Sequence, residues 1–336
     1  MALRFMDGFE CFSDVSRRWD YGSGGSGTGG RYNNHGWAPG SNAVGLGNAV
    51  TKTLDVQPTW VVGFAFISGD APADMPWFFV QYYDSVLNQV TDLLYVHFSY
   101  IDGIVNITIT DGFSTIDFPY PRGLWQYFEM KCTPTATEFR VESTVIGSFA
   151  TLSQHANRFY FRSPWAYKDG GVTIDDLYVC DGTGSTFNDY LGDIRIAASF
   201  PNALGDEDDY QPAFGDNTEV NHISMVNNPY IDYNEHGVFN TSGTIGATDL
   251  YHITPFQTRG VPIAVNVHAT NRKDSVDSRS ANIIAKVNSI TYGGVPQVCS
   301  LNYHTLTLLY PINPFTNLPW TLIDINNMQI GIEVTA

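Results

Sequence analysis

The sequence predicts an all-β protein built from two β-sandwich domains. Short runs rich in Val, Ile, Thr, Tyr, Phe and Trp recur between clusters of Gly, Pro, Asn and Asp, with turn signals about every 8–12 residues. Long helical patterns are almost absent. The chain has 336 residues, of which 43% are hydrophobic, which is enough for two cores at about 150 residues per domain. We expect an N-terminal jelly roll at residues 1–183 and a smaller sandwich at residues 184–336.

Eight segments predict the strands of the first domain. In some of them apolar and polar side chains alternate, as Phe139 and Val141 do with Arg140 and Glu142, which is typical of a strand with one buried face. Residues 60–67 are apolar almost throughout, which indicates a strand between two packed sheets. The predicted strands are 60–67, 77–83, 93–100, 105–110, 125–132, 138–143, 158–162 and 172–180.

The second domain follows a turn-rich stretch at residues 181–186. It begins with residues 190–198 and continues through an acidic loop at residues 205–210. Its clearest predicted strands are 263–269, 281–287, 304–310 and 328–334.

Charge and composition exclude several classes of partner. Seventeen basic and thirty-four acidic residues give a formal net charge of -17, and no basic patch is visible, so nucleic acid is not an expected partner. The N-terminus lacks a secretory signal and no window approaches a membrane span, so we expect synthesis in a cytosol without membrane insertion. The four cysteines (Cys11, Cys132, Cys180, Cys299) lie far apart, which favours buried free thiols over disulfides.

Several segments resemble tailed-bacteriophage virion proteins that carry a concanavalin-like (laminin-G-like) jelly roll. They are LRFMDGFE at residues 3–10, GLWQYFEMK at 123–131 and TIDDLYV at 173–179. Residues 191–206 are similar to the linker of those proteins, and residues 313–333 to their C-terminal signature. The resemblance implies a non-enzymatic virion structural protein: a tail-associated or fibre protein, or a capsid decoration.

The resemblance also implies partners and a place of assembly. We expect assembly in the host bacterial cytoplasm, contacts with other virion proteins, and homo-oligomers such as trimers. A second hypothesis is a glycan-binding receptor protein whose lectin-like domain holds a host surface saccharide. A third, a polysaccharide depolymerase, is disfavoured because the ExDxxE carboxylates of lectin-fold glycanases are missing. The nearest pair, Asp175 and Asp176, is adjacent on a strand, so one of them is expected to cap a turn or face solvent.

The resemblance segments also carry expectations about packing. The first and last strands of a jelly roll commonly pair, so residues 5–9 are expected beside residues 174–179, which would bring Cys11 towards Cys180. Trp125, Tyr127 and Phe128 are expected in the core, and Glu129 and Lys131 towards solvent.

Two groups of residues are candidate binding sites. Tyr32 and Trp37 flank a Gly-rich loop and Trp77 follows Pro76, so an exposed ring could stack on a sugar or pack against another subunit; core packing is the alternative for Trp77. Asp206, Asp208 and Asp209 offer oxygen ligands to calcium, with a solvated turn as the alternative. No other cofactor is expected, because the histidines lack the spacing of a metal site.

Overall fold

A computed structural model describes residues 3–9, 19–22, 31–32, 43–45, 49–68, 74–150, 152, 154–162, 171–213, 216–227, 239–257 and 260–336. The chain forms two compact units, Met1–Ala197 and Ala198–Ala336. The described residues form twenty-five strands and two six-residue helices, so the predicted all-β sandwich fold is confirmed. None of the helices in these ranges has the length and apolarity to cross a membrane.

The first unit contains fifteen strands. They are β1 (Leu3–Asp7), β2 (Tyr21–Gly22), β3 (Arg31–Tyr32), β4 (Ala43–Gly45), β5 (Val50–Thr53), β6 (Trp60–Ser68), β7 (Phe78–Asp84), β8 (Gln89–Ile101), β9 (Ile104–Thr110), β10 (Thr115–Pro119), β11 (Gln126–Cys132), β12 (Ala136–Val141), β13 (Thr144–Ala150), β14 (Arg158–Phe161) and β15 (Val172–Asp181).

These strands form two antiparallel sheets around one aromatic core. The eight-stranded sheet has the order β13-β12-β11-β6-β15-β4-β3, with β1 also on β15, and the seven-stranded sheet has the order β10-β9-β8-β7-β14-β5-β2. Phe64 of the first sheet lies 5.2 Å from both Phe78 and Phe161 of the second, measured between ring centroids. The apolar segment predicted at 60–67 is therefore a central strand, β6, whose side chains meet the opposite sheet.

The N-terminal strand closes the first unit, as predicted. β1 pairs antiparallel with β15, so that Phe5 lies opposite Val179. Asp7 is buried at the end of β1, where its carboxylate accepts hydrogen bonds from the backbone N–H of Phe9 (2.9 Å) and the indole N–H of Trp19 (3.1 Å). Cys11 lies outside the described residues, so the structure does not bear on its expected position near Cys180.

A segment that we call the connector, residues 191–196, covers part of the outer face of the eight-stranded sheet. The Tyr178 hydroxyl donates a hydrogen bond to the Glu129 carboxylate, which also accepts one from the N–H of Gly192 at 2.9 Å. The N–H of Leu191 donates to the Tyr178 hydroxyl at 3.0 Å. Glu129 is 1% exposed, so the expectation that it faces solvent was wrong: the connector buries it.

Asp175 and Asp176 are both buried, which corrects the expectation that one caps a turn or faces solvent. The pairing of β15 with β6 is irregular at this point, and Asp176 has a φ of 51°, which turns its carboxylate towards the connector. There it accepts a hydrogen bond from the N–H of Ile196 at 2.7 Å. Because of these bonds residues 184–197 belong to the first unit, whereas the sequence placed the boundary after residue 183.

Arg4 forms ion pairs with Asp55 and with the buried Asp181 (2.5 Å). Burial alone would raise the pKa of Asp181, but hydrogen bonds from Thr183 and Arg4 hold that pKa below its ordinary value. A carboxyl whose pKa is lower in the folded than in the unfolded chain stabilises the fold above about pH 4, and this stabilisation is lost as the pH falls through the folded-state pKa.

We expect Arg4→Gln to lower the free energy of unfolding of the first unit by about 1–2 kcal/mol at pH 7, and by less at pH 3. The measurement is urea unfolding of wild type and variant at both pH values. A loss of equal size at both pH values would contradict the assignment of the effect to the ionised Asp181.

The second unit contains ten strands and both helices. They are β16 (Pro201–Asp208), β17 (Gln211–Pro212), α1 (Glu219–Ser224), β18 (Asn240–Thr241), β19 (Thr248–Ile253), β20 (Val265–Asn271), β21 (Ser280–Val287), β22 (Ile290–Gly293), β23 (Gln297–Val298), β24 (His304–Tyr310), α2 (Leu322–Asn327) and β25 (Gln329–Val334).

Its core lies between a six-stranded sheet and the β20–β24 pair. The sheet has the order β16-β19-β25-β21-β22, with β23 on β21. Val267, Ile283 and Leu306 share a core with Trp320, whose indole N–H donates to the carbonyl of Tyr310 at 3.0 Å. The segment predicted as an acidic loop at 205–210 is different: through Asp208 it belongs to strand β16, which pairs with β19.

Three cysteines, Cys132, Cys180 and Cys299, are buried free thiols, as the sequence analysis predicted. Burial raises the pKa of Cys132 to about 12. These thiols therefore pack as small apolar side chains.

Candidate functional site

The outer face of the seven-stranded sheet carries an unusual set of side chains. Alternate residues of β7, β8 and β14, among them Phe78, Val96 and Phe159, point into the core. Their neighbours therefore point to the opposite side. We call this set the polar-aromatic face, and its members are Phe79, Gln81, Tyr95, His97, Arg158, Tyr160 and Arg162.

Three aromatic rings form a row across the middle of this face. Tyr160 lies opposite Phe79 in register, and Phe79 lies opposite Tyr95. The ring centroids are 5.4 Å apart for Tyr160 and Phe79 and 6.1 Å apart for Phe79 and Tyr95. Phe79 is 5% exposed, while the two tyrosines are half-buried. The row offers a ligand an apolar surface with two phenol hydroxyls at its ends.

Two arginines lie on either side of this row, because Arg158, Tyr160 and Arg162 alternate along β14 and its end. The Arg162 guanidinium lies 4.9 Å from the centroid of the Phe79 ring, and its Nε donates to the carbonyl of Pro76 at 3.3 Å. The Arg158 guanidinium lies 5.5 Å from the centroid of the Tyr83 ring. Both arginines are held by aromatic rings rather than by carboxylates.

Some buried polar atoms of the face have no hydrogen-bond partner among the described residues. The Gln81 amide donates to Asp92 at 2.7 Å, but its carbonyl oxygen has no donor, and Gln81 is 6% exposed. The Nε of Arg158 and the Nδ1 of His97 are also without a partner at hydrogen-bond distance. Burial lowers the pKa of His97, which favours the neutral imidazole. Unpaired buried groups are costly, so these atoms mark a part of the face where the protein leaves its own hydrogen bonding incomplete.

Near the β10 edge of this sheet, polar side chains form hydrogen bonds with each other. The Thr108 hydroxyl donates to Asp117 at 2.6 Å and lies 2.6 Å from the hydroxyl of Ser99. These bonds link β8, β9 and β10, whereas the buried polar atoms of the face that lack a partner, on Gln81, His97 and Arg158, lie nearer the aromatic row.

Of the three predicted aromatic residues, the structure describes the side chain of Trp77 alone, and it favours the alternative of core packing. Trp77 is 1% exposed, and its ring stacks on Phe66 (5.4 Å) and Phe98 (5.7 Å), so it packs in the core and offers no ring to a ligand. Tyr32 lies in β3, where its backbone pairs with Ala43, but its side chain is outside the described part of the structure. Trp37 is also outside the described residues.

The predicted calcium ligands do not come together. Asp206 forms an ion pair with Lys286 at 2.9 Å, which lowers the pKa of its carboxyl. Asp209 accepts a hydrogen bond from the N–H of Thr248 at 3.0 Å, and Asp208 lies opposite Asp249 in the sheet. In the described ranges no group of three or more His, Cys, Asp or Glu residues could hold a metal ion. Strand pairing therefore accounts for this acidic run.

The polar-aromatic face was missed by reasoning from the sequence, although a signal was present. Residues 158–162 read Arg-Phe-Tyr-Phe-Arg, so apolar rings alternate with residues that combine a large surface and a polar tip. Such alternation marks a strand whose outer face is not simply charged and solvated.

No family model and no curated relative matches the chain. Among solved structures, it is similar to domain 4 of an extracellular arabinanase from Geobacillus stearothermophilus in complex with arabinotriose: 14% identity, 54% of this chain, 93% of that chain and a TM-score of 0.37. A cellulose-induced protein has 13% identity, 52% and 96% coverage and a TM-score of 0.35. For a Trypanosoma rangeli sialidase the identity is 13%, with a TM-score of 0.33, and the match spans 46% of this chain but 29% of the sialidase chain. These similarities extend no further than the β-sandwich fold.

Proposed function

We propose that this chain is a non-enzymatic structural protein displayed on the surface of a tailed-bacteriophage virion, and that its first unit binds a host surface glycan through the polar-aromatic face. The observation that carries the binding role is the aromatic row of Tyr160, Phe79 and Tyr95, bordered by side chains with unpaired polar atoms. The virion role rests on the resemblance of the N-terminal, central and linker segments to virion proteins.

The segments that carry the resemblance lie close together in the fold, which supports an architecture shared with the virion proteins. Residues 3–10, 123–131 and 173–179 supply β1, β11 and β15 of one sheet. The linker segment at 191–196 is the connector, and its bonds to Glu129 and Asp176 join it to two of those strands. All of these segments lie on one sheet of the first unit, and the polar-aromatic face belongs to the other sheet.

The proposed mechanism of binding needs no bond cleavage. A sugar ring packs its apolar face on the half-buried ring of Tyr160, beside which Phe79 lies, and its hydroxyls accept hydrogen bonds from Arg158. Asp175 and Asp176, the nearest carboxylate pair in sequence, are buried on the other sheet, and Asp176 is bonded to the connector. They do not support the depolymerase alternative.

The experiment is glycan-array binding of the full chain, followed by measurement of the dissociation constant for the best glycan. We expect Tyr160→Ala to weaken binding at least about tenfold, because its half-buried ring is the end of the row that lies between the two arginines. Phe113→Ala is the matched control, since Phe113 is 99% exposed in the turn after β9 and lies off the face. Equal affinities for Tyr160→Ala and wild type would contradict the proposed site.

The virion role is tested separately by immunogold electron microscopy of intact particles with antibody against this chain. Label at the tail tip or fibres is the expected result for a protein that binds the host. Absence of label from every particle would overturn the virion assignment while leaving glycan binding to be judged by the array.

A further inference from the structure

We propose that the ligand of the polar-aromatic face is an anionic polysaccharide whose acidic groups are held by Arg158 and Arg162. The inference rests on the proposed glycan binding and names the charge class of the saccharide. It starts from an imbalance: this chain has twice as many acidic as basic residues, yet the face displays two arginines without acidic partners.

Three other described arginines have carboxylate partners, whereas Arg272 and Arg279 of the second unit do not. Arg4, Arg140 and Arg195 each lie within 4.0 Å of at least one carboxylate oxygen. Neither Arg158 nor Arg162 forms such a pair with any described residue. In a chain with a net charge of -17, two unpaired guanidinium groups on one face are available to an anion supplied from outside.

The spacing of the two arginines fits a chain-like ligand. They are four residues apart on one strand, which places their Cα atoms about 13 Å apart on the same face, with Tyr160 between them. The positions of β5 beside β14 on this face are Thr51 and Thr53, which are uncharged. A saccharide that stacks on Tyr160 can therefore extend in both directions along β14 and meet a cation on each side.

The arginines are also held ready for a planar acidic group. Each guanidinium packs against a ring, Arg158 on Tyr83 and Arg162 on Phe79, and Arg162 is fixed further by its bond to the Pro76 carbonyl. Their remaining N–H groups form a fork that matches the two oxygens of a carboxylate. Because the side chains are already ordered, little conformational entropy is lost when an anion binds.

Three acidic residues lie near this face on its β8 and β10 side, and Asp74 is one of them, with its carboxylate 3.9 Å from Nδ1 of His97. Gln81 on β7 lies opposite Arg158 of β14 on one side and opposite Asp92 of β8 on the other. Asp92 accepts a hydrogen bond from the Gln81 amide. Asp117 accepts from Thr108 at the β10 edge. These carboxylates would repel an anionic ligand laid across the sheet, so the ligand is expected to run along β14.

The test uses the full chain and two pairs of probes: oligogalacturonate and oligomannuronate, each beside its carboxyl-reduced, neutral counterpart. We expect wild type to bind at least one acidic probe about tenfold or more tightly than its neutral counterpart, with an affinity that falls at high salt. Arg158→Gln and Arg162→Gln should each lower that affinity about tenfold. Arg162→Gln should leave the affinity for the neutral probe unchanged, whereas Arg158→Gln should also weaken binding of the neutral probe, because Arg158 donates to a sugar hydroxyl in the proposed binding mode. Thermal unfolding of the variants checks that both remain folded.

Arg272→Gln is the matched control, because its guanidinium also packs on a ring, 4.9 Å from that of Tyr303, but lies in the second unit. Its affinity for the acidic probe should equal that of wild type. Equal binding of acidic and neutral probes, with loss in Tyr160→Ala, would overturn the anionic class and leave glycan binding intact. Failure to bind any saccharide would overturn both. Equally tight, arginine-dependent binding of oligodeoxythymidylate would also overturn the inference, because the face would then select charge alone.

Discussion

Replacing Gly63 by Ala is expected to destabilise the first unit by about 3 kcal/mol and to release the connector. A Cβ atom at this position would lie 2.2 Å from Cε1 of the Tyr178 ring, and Tyr178 is fully buried, so the ring has no free space into which to move. Displacing the ring would break the bond from its hydroxyl to Glu129 and the bond that the hydroxyl accepts from Leu191.

Two measurements identify this mechanism. Urea unfolding gives the loss of stability, and hydrogen exchange of residues 191–196 reports on the connector, whose amides should exchange faster in Gly63→Ala. Tyr178→Ala removes the ring that the new methyl group would strike. The same Gly63→Ala change should therefore cost less than about 1 kcal/mol in a Tyr178→Ala background. Additive losses in the double variant would show that steric conflict with the ring is not the cause.

The sequence predicted the central strands of both cores and the closure of the first unit, but it missed other strands, among them β10, β13 and β19. Hydrophobic alternation is a local property, so the strands around Phe64 and Phe139 were predicted with small errors at their ends. One difference is instructive. The segment predicted at 138–143 ends earlier, because Glu142 and Ser143 have positive φ values and form the turn between β12 and β13.

Burial by distant segments could not be predicted. Glu129 reads as a solvent-facing residue, and it is buried because residues 63 positions further along the chain return to cover it. The candidate site was missed for a related reason. Local alternation shows that β14 has two different faces, but only the pairing of β14 with β7 and β5 brings Tyr160 beside Phe79. Long-range register is a property of the whole fold, which single-sequence patterns do not encode.

A buried polar network is expected to dominate the stability of the second unit. The Asp249 carboxylate lies 2.9 Å from Nε2 of His222 and accepts a hydrogen bond from the Tyr251 hydroxyl. Asn240 adds hydrogen bonds to the Tyr251 hydroxyl (2.6 Å) and to the carbonyl of His222 (3.0 Å). Both Asp249 and His222 are at most 1% exposed, and burial raises the pKa of the Asp249 carboxyl. The network therefore joins helix α1, which carries His222, to strand β19.

Asp249→Ala should lower the free energy of unfolding of the second unit by about 3–5 kcal/mol, because it leaves His222 and Tyr251 buried without their shared acceptor. Asp249→Asn keeps the volume and one acceptor oxygen, so its loss should be about half as large. Urea unfolding, with hydrogen exchange to assign the change to this unit, measures both, and amides of residues 219–224 should lose protection first.

Asp208 supplies a matched control for this prediction, because it is an exposed aspartate directly opposite Asp249 in the sheet. Asp208→Ala should change the stability by less than about 0.5 kcal/mol, as expected for an exposed position without a buried partner. Equal effects of the two substitutions would mean that the strand, and not the network, responds to loss of an acidic side chain. A large effect confined to Asp249, with early exposure of α1, would instead assign the stabilisation to its buried bonds with His222 and Tyr251.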